Sequence, residues 1–498
     1  MTLSEFAPEV GFGTSGVRAL VTDLNTTVVF AYTRAFISHL RASGQITGDN
    51  CVIGWDLRPS SPLIAAAAAA ALQAESLKVE WAGLVPTPAL ALRCMASNAP
   101  GIMVTGSHIP FDRNGIKFYT AQGEILKRDE AAIASLDVTR LLPVSQEILD
   151  ISSLMDQAIE TSSRPTIVLQ EYKQRYLSLL SDSTLTGLRI GVYQHSAVGR
   201  DLLVEILEQL GASVIALGRS DTFVPIDTEA VTAEDEAQAT EWCQKYQLDA
   251  VVSTDGDGDR PWLCDEQGRF MRGDIVGILT AKWLGAQAVV TPVSSNTALE
   301  KSGFFKRCER TRIGSPYVIE AMQQLQQQAF DGIVGFEVGG GLLVQCPIKG
   351  MSALPTRDSS LPIVAVLAMA KTKDMPLSAL LSLLPARFTQ AGRVQGIQVF
   401  QSQALIARLK HDDVILNKFL EFTSGKPVHI DTTDGLRIEL NSGDIVHLRP
   451  SGNAPELRCY TESNTEQRAL DLLSGSLEYV YREISIQTNT RCERWFSK

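Results

Sequence analysis

Short β-branched apolar runs alternate along this chain with longer stretches of helical periodicity, the pattern of βαβ units and mostly parallel sheets. The first stretch predicts a helix near Val28–Arg41, a strand at Val52–Trp55 and a helix through the alanine run Ala65–Ala71. Strands near Lys78–Trp81 and Gly101–Val104 follow. A second unit opens after the Ser- and Pro-containing segment Thr161–Pro165. It places strands at Arg189–Tyr193, Ser213–Leu217 and Ala250–Ser253 and a helix near Leu202–Leu210. A third runs from a helix near Ile275–Leu284 through strands at Ala288–Val290 and Ile333–Gly335. After Pro385 the pattern changes. Amphipathic helices near Ala404–Leu420 and Glu466–Glu483 flank short strands at Leu436–Leu440 and Asp444–Leu448, which predicts a separate α+β domain.

One regularity links the first three units. In each, an apolar strand runs straight into a loop of small and polar residues: Val104-Thr-Gly-Ser107, Val252-Ser-Thr-Asp255 and Val334-Gly-Phe-Glu337. Open α/β sheets bind ligands just beyond the carboxyl ends of their strands, so three such loops facing one cleft would make a composite site.

Bulk properties narrow the function. A chain of 498 residues is too long for one core and suggests roughly three to five domains. A net charge of −11 disfavours nucleic acid, whose phosphate backbone needs a basic face, yet leaves room for a locally basic pocket that holds an anionic small molecule. The eight cysteines are scattered singly, with no CxxC pair to signal zinc or redox chemistry, and most sit among apolar neighbours as buried hydrophobes would. The start, MTLSEFAPEV, has neither a basic nor an apolar signal region, and the alanine run is too short to span a bilayer. A reduced cytoplasm, with no membrane partner, is the expected home.

The strongest chemical signal is Asp255-Gly-Asp257-Gly-Asp259-Arg260. Three carboxylates at alternate positions, separated by glycines, can converge on one hard cation, and without one they would repel each other. An EF-hand is the rival, with Glu266 at the twelfth loop position, but Arg260 at the position that needs glycine and the preceding strand argue against it. Arg260 suits a phosphoryl group. Thr105-Gly106-Ser107-His108-Ile109-Pro110 sets a hydroxyl nucleophile on a tight turn, with His108 and the downstream Lys117 able to handle protons. It lacks the G-x-S-x-G pattern of a hydrolase elbow. Arg449-Pro-Ser451-Gly452-Asn453-Ala-Pro455 offers a cation, a hydroxyl, an amide and a turn able to form an anion nest. Gly11–Arg18 is a flexible loop ending in Arg, without the Walker ending. Glu337-Val-Gly339-Gly-Gly341 presents one carboxylate with little bulk around it, as a sugar-hydroxyl acceptor would need. Asp358 reads as a helix cap before Leu361–Ala370 rather than a catalytic acid.

In this order the loops resemble the α-D-phosphohexomutase family, which includes phosphomannomutases, phosphoglucomutases and phosphoglucosamine mutases, over essentially the whole chain. The resemblance implies three consecutive mixed α/β domains of related topology and a smaller α+β C-terminal domain around a central cleft. The corresponding ranges are 1–160, 161–271, 272–386 and 387–498. It further implies that Ser107 is the phosphoserine and that Asp255, Asp257 and Asp259 hold Mg2+ with the Ser107 phosphate. Glu337 would accept sugar hydroxyls, and Arg449, Ser451, Gly452 and Asn453 would clamp the phosphate that is not transferred. Arg18, His108, Lys117 and Arg260 resemble the residues for charge stabilisation and proton handling, and Thr311-Arg-Ile-Gly314 a sugar-recognition loop.

There are departures. Ile109 replaces a frequent Asn, Gly339 and Gly341 stand where many members carry Ser and His, Ser315 replaces a frequent His, and Ala19 replaces Gly. This form is most similar to bacterial phosphomannomutases. The expected reaction interconverts mannose 1-phosphate and mannose 6-phosphate through a hexose 1,6-bisphosphate, in a monomer or homodimer. Phosphoglucomutase or phosphoglucosamine mutase activity is the alternative; a sugar-phosphate phosphatase and a non-catalytic sugar-phosphate binder are the other classes.

Overall fold

The computed structural model describes residues 1–46, 48–142, 150–162, 166–451, 455–488 and 494–496. They form two compact units: Met1–Val290 with Gly314–Ala379, and Thr291–Ile313 with Leu380–Lys498. Ser163, Arg164 and Pro165 of the predicted boundary segment, Gly452 and Asn453 of the predicted clamp, and Cys492 lie outside the described residues.

Three mixed sheets make up the first unit. In the first, the strands run in the order Gly11–Phe12, Val17–Leu20, Arg113–Thr120, Gly101–Val104, Asn50–Trp55, Lys78–Leu84, with Gly123–Glu124 against Arg113–Thr120. Asn50–Trp55 is parallel to both its neighbours and buried from Cys51 onward, which explains its unbroken apolar run. The alanine run lies in the helix Ser61–Ala74, each alanine at most 3% exposed. One-methyl side chains let that helix pack closely on Thr26–Ala42 and Ile151–Ser162. The second sheet orders Pro261–Cys264, Ala250–Thr254, Arg189–His195, Ser213–Arg219, and in the third Ala288–Pro292 is followed by Ile333–Phe336, Leu342–Val344, Leu354–Asp358.

All three sheets use one device. A buried parallel strand ends in a loop, and the chain returns as its antiparallel neighbour: Gly101–Val104 into Arg113–Thr120, Ala250–Thr254 into Pro261–Cys264, Ile333–Phe336 into Leu342–Val344. The three strand-to-loop junctions seen in the sequence are therefore hairpin connections. Their short return strands carry no period of their own: Pro261–Cys264 and Leu342–Val344 are buried throughout.

In the second unit the sheet order is Pro427–Asp431, Leu436–Leu440, Ile445–Pro450, Glu456–Ser463, Phe388–Gln395, Arg494–Phe496, antiparallel throughout. Its core packs Leu405, Leu409, Leu416 and Phe419 with Leu436, Ile438, Leu448 and Leu473. The single helix expected at Ala404–Leu420 is corrected to two, Val399–His411 and Asp413–Leu420. Asp412 breaks it, because its carboxylate accepts hydrogen bonds from the amides of Val414 and Ile415 and starts a new helix. The seven described cysteines are free thiols and six are buried. No helix among the described residues is long and apolar enough to cross a membrane.

Candidate active site

Ser107 sits on the first hairpin connection with φ of 53°, a left-handed conformation costly for a residue bearing a Cβ, and is 4% exposed. The surroundings fix it. Asp56 accepts from the Thr105 hydroxyl at 2.8 Å and the Gly106 amide at 3.2 Å, while the Ser107 amide donates to Thr105 Oγ1 at 2.7 Å. The Arg58 guanidinium, under Phe223 at 4.1 Å, donates to the carbonyls of Ser107, Ile109, Pro110 and Arg113 at 2.6–2.9 Å. Neither Asp56 nor Arg58 was singled out in the sequence. The signal was there, since Val52–Trp55 runs into Asp-Leu-Arg as the other strands run into their loops. Gly106 is required by this approach: a Cβ there would lie 2.2 Å from Arg58 Cζ. Gly106→Ala is expected to cost about 2–4 kcal/mol by urea unfolding, from overpacking and stranded carbonyls. Wild-type stability in that variant would show that the loop does not depend on the contact.

The hairpin Asp255–Arg260 brings its three carboxylates within 4.8 Å of one another, all buried. Asp255 accepts from Ser107 Oγ at 2.6 Å through one oxygen, and from the amides of Asp259 and Arg260 at 3.1 Å through the other. Lys117 Nζ donates to both Asp257 and Asp259 at 2.6 Å, and Thr87 to Asp257 at 2.6 Å. Burial pushes the Asp255 carboxyl well above the usual range, and the charges of Asp257 and Asp259 push it further. Burial acts on Asp257 in the same direction, but Lys117 and Thr87 hold it below the usual range. Oδ1 of Asp257 and Oδ1 of Asp259 are buried with no hydrogen-bond partner. A buried, ionised oxygen without a donor is costly, and two beside a third carboxylate fit a hard cation bound through oxygen. The residues present fit a divalent metal.

Arg260 NH1 donates to His108 Nδ1 at 2.7 Å, and Ser107 Oγ lies 3.4 Å from the same nitrogen. Burial and the Arg260 charge lower His108 to about 3, so the ring is neutral near pH 7 with Nδ1 as an acceptor. Arg18 donates to the carbonyl of Thr105 on the nucleophile loop.

Glu337, on the third hairpin and 6% exposed, accepts from Arg357 NH1 at 2.8 Å. Arg357 also bonds Asp259, at 2.8 and 3.1 Å. Arg357 was not singled out in the sequence. Asp358 does cap its helix, accepting from the amides of Ser360 and Leu361, and also takes the hydroxyls of Tyr172 and Tyr176. The glycines at 339 and 341 make room. A Cβ on Gly339 would approach Arg260 Cδ to 3.0 Å, and one on Gly341 would lie 2.4 Å from the Asp259 carbonyl. Gly314, at φ of 132°, precedes the helix Ser315–Gln327, and the Ser315 hydroxyl donates to Glu124 at 3.1 Å.

In the second unit, Arg449 Nε pairs with Asp434 at 3.0 Å, and the same Asp434 oxygen accepts from the Ile313 amide at 3.0 Å. Arg449 and Ser451 line a cavity of about 510 Å3 with Arg312, Lys410 and His411.

Comparison with known proteins covers the whole arrangement. Four domain families match in order: phosphoglucomutase/phosphomannomutase α/β/α domain I at residues 9–136, domain II at 170–268, domain III at 272–388 and the C-terminal domain at 400–474. The chain is 44% identical over 475 residues to a phosphomannomutase of Salmonella muenchen, covering 95% of each. It is 41% identical over 472 residues to a phosphomannomutase of Sinorhizobium fredii, covering 94% of this chain and 98% of that one. A phosphoglucomutase/phosphomannomutase family protein of Burkholderia thailandensis shares the fold, with a TM-score of 0.70 at 20% identity over 97% of this chain and 99% of the other.

Proposed function

The chain belongs to the phosphoglucomutase/phosphomannomutase family, and from that premise we propose that it interconverts mannose 1-phosphate and mannose 6-phosphate through a phosphorylated Ser107 and mannose 1,6-bisphosphate. The observation that carries this reading is the meeting of Ser107 with three buried carboxylates, two of which keep an oxygen without a donor.

Ser107 gives its phosphoryl group to the free hydroxyl of the hexose phosphate. The bisphosphate then turns over, and its other phosphate returns to the serine. Asp255, Asp257 and Asp259 would hold Mg2+, chosen for an oxygen-only donor set; when bound it neutralises charge on the transferring phosphate. Arg260 stabilises the same developing charge from the protein side, and Arg18 and Arg58 keep the loop aimed. Lys117 is the first choice to take the proton of the attacking hydroxyl, which it can do only after passing its own proton to Asp257 or Asp259, and His108, through Nδ1, the second. Each starts engaged: Lys117 donates to two carboxylates, and His108 Nδ1 accepts from Arg260. Glu337 receives sugar hydroxyls. Arg449, Ser451, Gly452 and Asn453 hold the phosphate that is not reacting.

A clamp that binds ground and transition states alike contributes to KM and not to kcat. Arg449→Ala should therefore raise KM for mannose 1-phosphate about 10-fold to 100-fold, roughly 1.4–2.7 kcal/mol. Any accompanying loss of kcat through early release of the intermediate should be restored by added 1,6-bisphosphate. A wild-type KM would reassign Arg449 to a structural role. The test of the reaction itself is a coupled assay of 6-phosphate formation, run in parallel with mannose, glucose and glucosamine 1-phosphates. Fastest turnover of the mannose substrate supports the reading. Preference for another sugar moves the chain within the family, and release of inorganic phosphate marks a phosphatase.

A further inference from the structure

Arg357 is the next-to-last residue of the strand Leu354–Asp358 and is 3% exposed. One guanidinium serves two loops. Nε and NH2 donate to Asp259 Oδ2, at 3.1 and 2.8 Å, and NH1 donates to Glu337 Oε2 at 2.8 Å. NH1 also lies 3.4 Å from the Ser315 hydroxyl, which donates onward to Glu124 at 3.1 Å. Asp259 belongs to the hairpin of the second sheet and Glu337 to that of the third.

We propose that Arg357 is a positioning residue that fixes Glu337, the sugar-holding carboxylate, at a set distance from the carboxylates of phosphoryl transfer, and that residue 341 is glycine to admit it. The inference rests on the function proposed above. Three features support it. First, Glu337 and Asp259 are like charges in a buried site, and one planar cation between them turns repulsion into a rigid link. Arg can do this and Lys cannot, because the fork presents separate N–H groups in fixed directions. Second, the link leaves Glu337 usable: among the described residues no donor bonds its Oε1, and the residue keeps 6% exposure. Third, the space is specific. A Cβ on Gly341 would lie 2.7 Å from Arg357 Cβ as well as 2.4 Å from the Asp259 carbonyl, so any side chain there displaces the arginine.

Arg357 itself acts through Glu337, so its loss should be felt by the sugar and not by a bare phosphate. The experiment measures equilibrium binding of mannose 6-phosphate and of inorganic phosphate by calorimetry, with a melting curve for every protein. The set is wild type, Arg357→Ala, Arg357→Lys, Gly341→Ala, Glu337→Gln and the Arg357→Ala/Glu337→Gln double variant. Arg357→Ala should weaken mannose 6-phosphate about tenfold or more while inorganic phosphate stays within about twofold. Arg357→Lys should recover only part of the loss, and Gly341→Ala should reproduce it. The double variant should bind no worse than the weaker single variant, since both remove one interaction. Unchanged sugar-phosphate binding, additive losses, or equal weakening of both ligands would overturn the proposal, the last marking a merely structural arginine. Failure of the reaction reading shows up separately, as wild-type protein that neither binds mannose 6-phosphate nor isomerises any hexose phosphate.

Discussion

Ser107→Ala is expected to lower turnover of a hexose 1-phosphate about 10,000-fold or more, roughly 5.5 kcal/mol, the scale on which removing a covalent nucleophile acts. Nothing nearby can replace the hydroxyl. Thr105 faces Asp56, and among the described residues the hydrogen-bond partners of Ser107 Oγ are Asp255 and His108 Nδ1, the latter already taken by Arg260. The fold should be spared, because Ala meets about the same penalty as Ser at φ of 53° and the loop is held by Asp56 and Arg58 through backbone groups. The loss would then lie in chemistry alone. Melting within a few degrees of wild type, together with unchanged binding of mannose 6-phosphate, would separate it from misfolding. Intact mass and peptide mapping should place about one phosphate on wild-type Ser107 and none on the variant. A fully active Ser107→Ala enzyme would sink the mechanism.

How much of this was legible depends on how local each signal is. Asp255, Asp257 and Asp259 announce themselves because one five-residue hairpin supplies all three carboxylates. Ser107 is weaker alone, and gains meaning from Asp255 2.6 Å away, a partner 148 positions on in the chain. Arg58 and Arg357 escaped for the opposite reason. Their function lies in what folding brings against them: four loop carbonyls for Arg58, two carboxylates from different sheets for Arg357. The glycines at 339 and 341 were visible as departures, yet their cause is the volume taken by Arg260 and Arg357, which no pattern along the chain reports. Periodicity located the buried parallel strands and missed their return partners. It also ran two helices together across Asp412, where side-chain capping decides the boundary and hydrophobic spacing does not.

Removing the divalent cation should abolish turnover, and Asp257→Asn should lower kcat about 1,000-fold even with Mg2+ in excess. The charges explain why. Lys117 pairs with Asp257 and Asp259, Arg357 with Asp259, and Arg260 lies 3.9 Å from Asp259, so among the described residues Asp255 has no ion pair of its own before any phosphate arrives. Two unit charges 4.8 Å apart repel by about 3 kcal/mol at an effective dielectric near 20. A phosphorylated Ser107 adds a further charge of about −2 beside Asp255. In the proposed reaction, transfer from that serine to a sugar hydroxyl would call for a further cation at these carboxylates. Asp257→Asn removes one of the two oxygens left without a donor and sets an amide against Lys117. Because buried Lys117 loses a charged partner, the variant should melt below wild type in chelator, so turnover is compared at a temperature where both proteins remain folded. Calorimetric titration with MgCl2 should show one site in wild type and weakened binding in Asp257→Asn. Full turnover by wild type in excess chelator would remove the metal from the mechanism, and unchanged Mg2+ affinity in Asp257→Asn would take Asp257 out of the site.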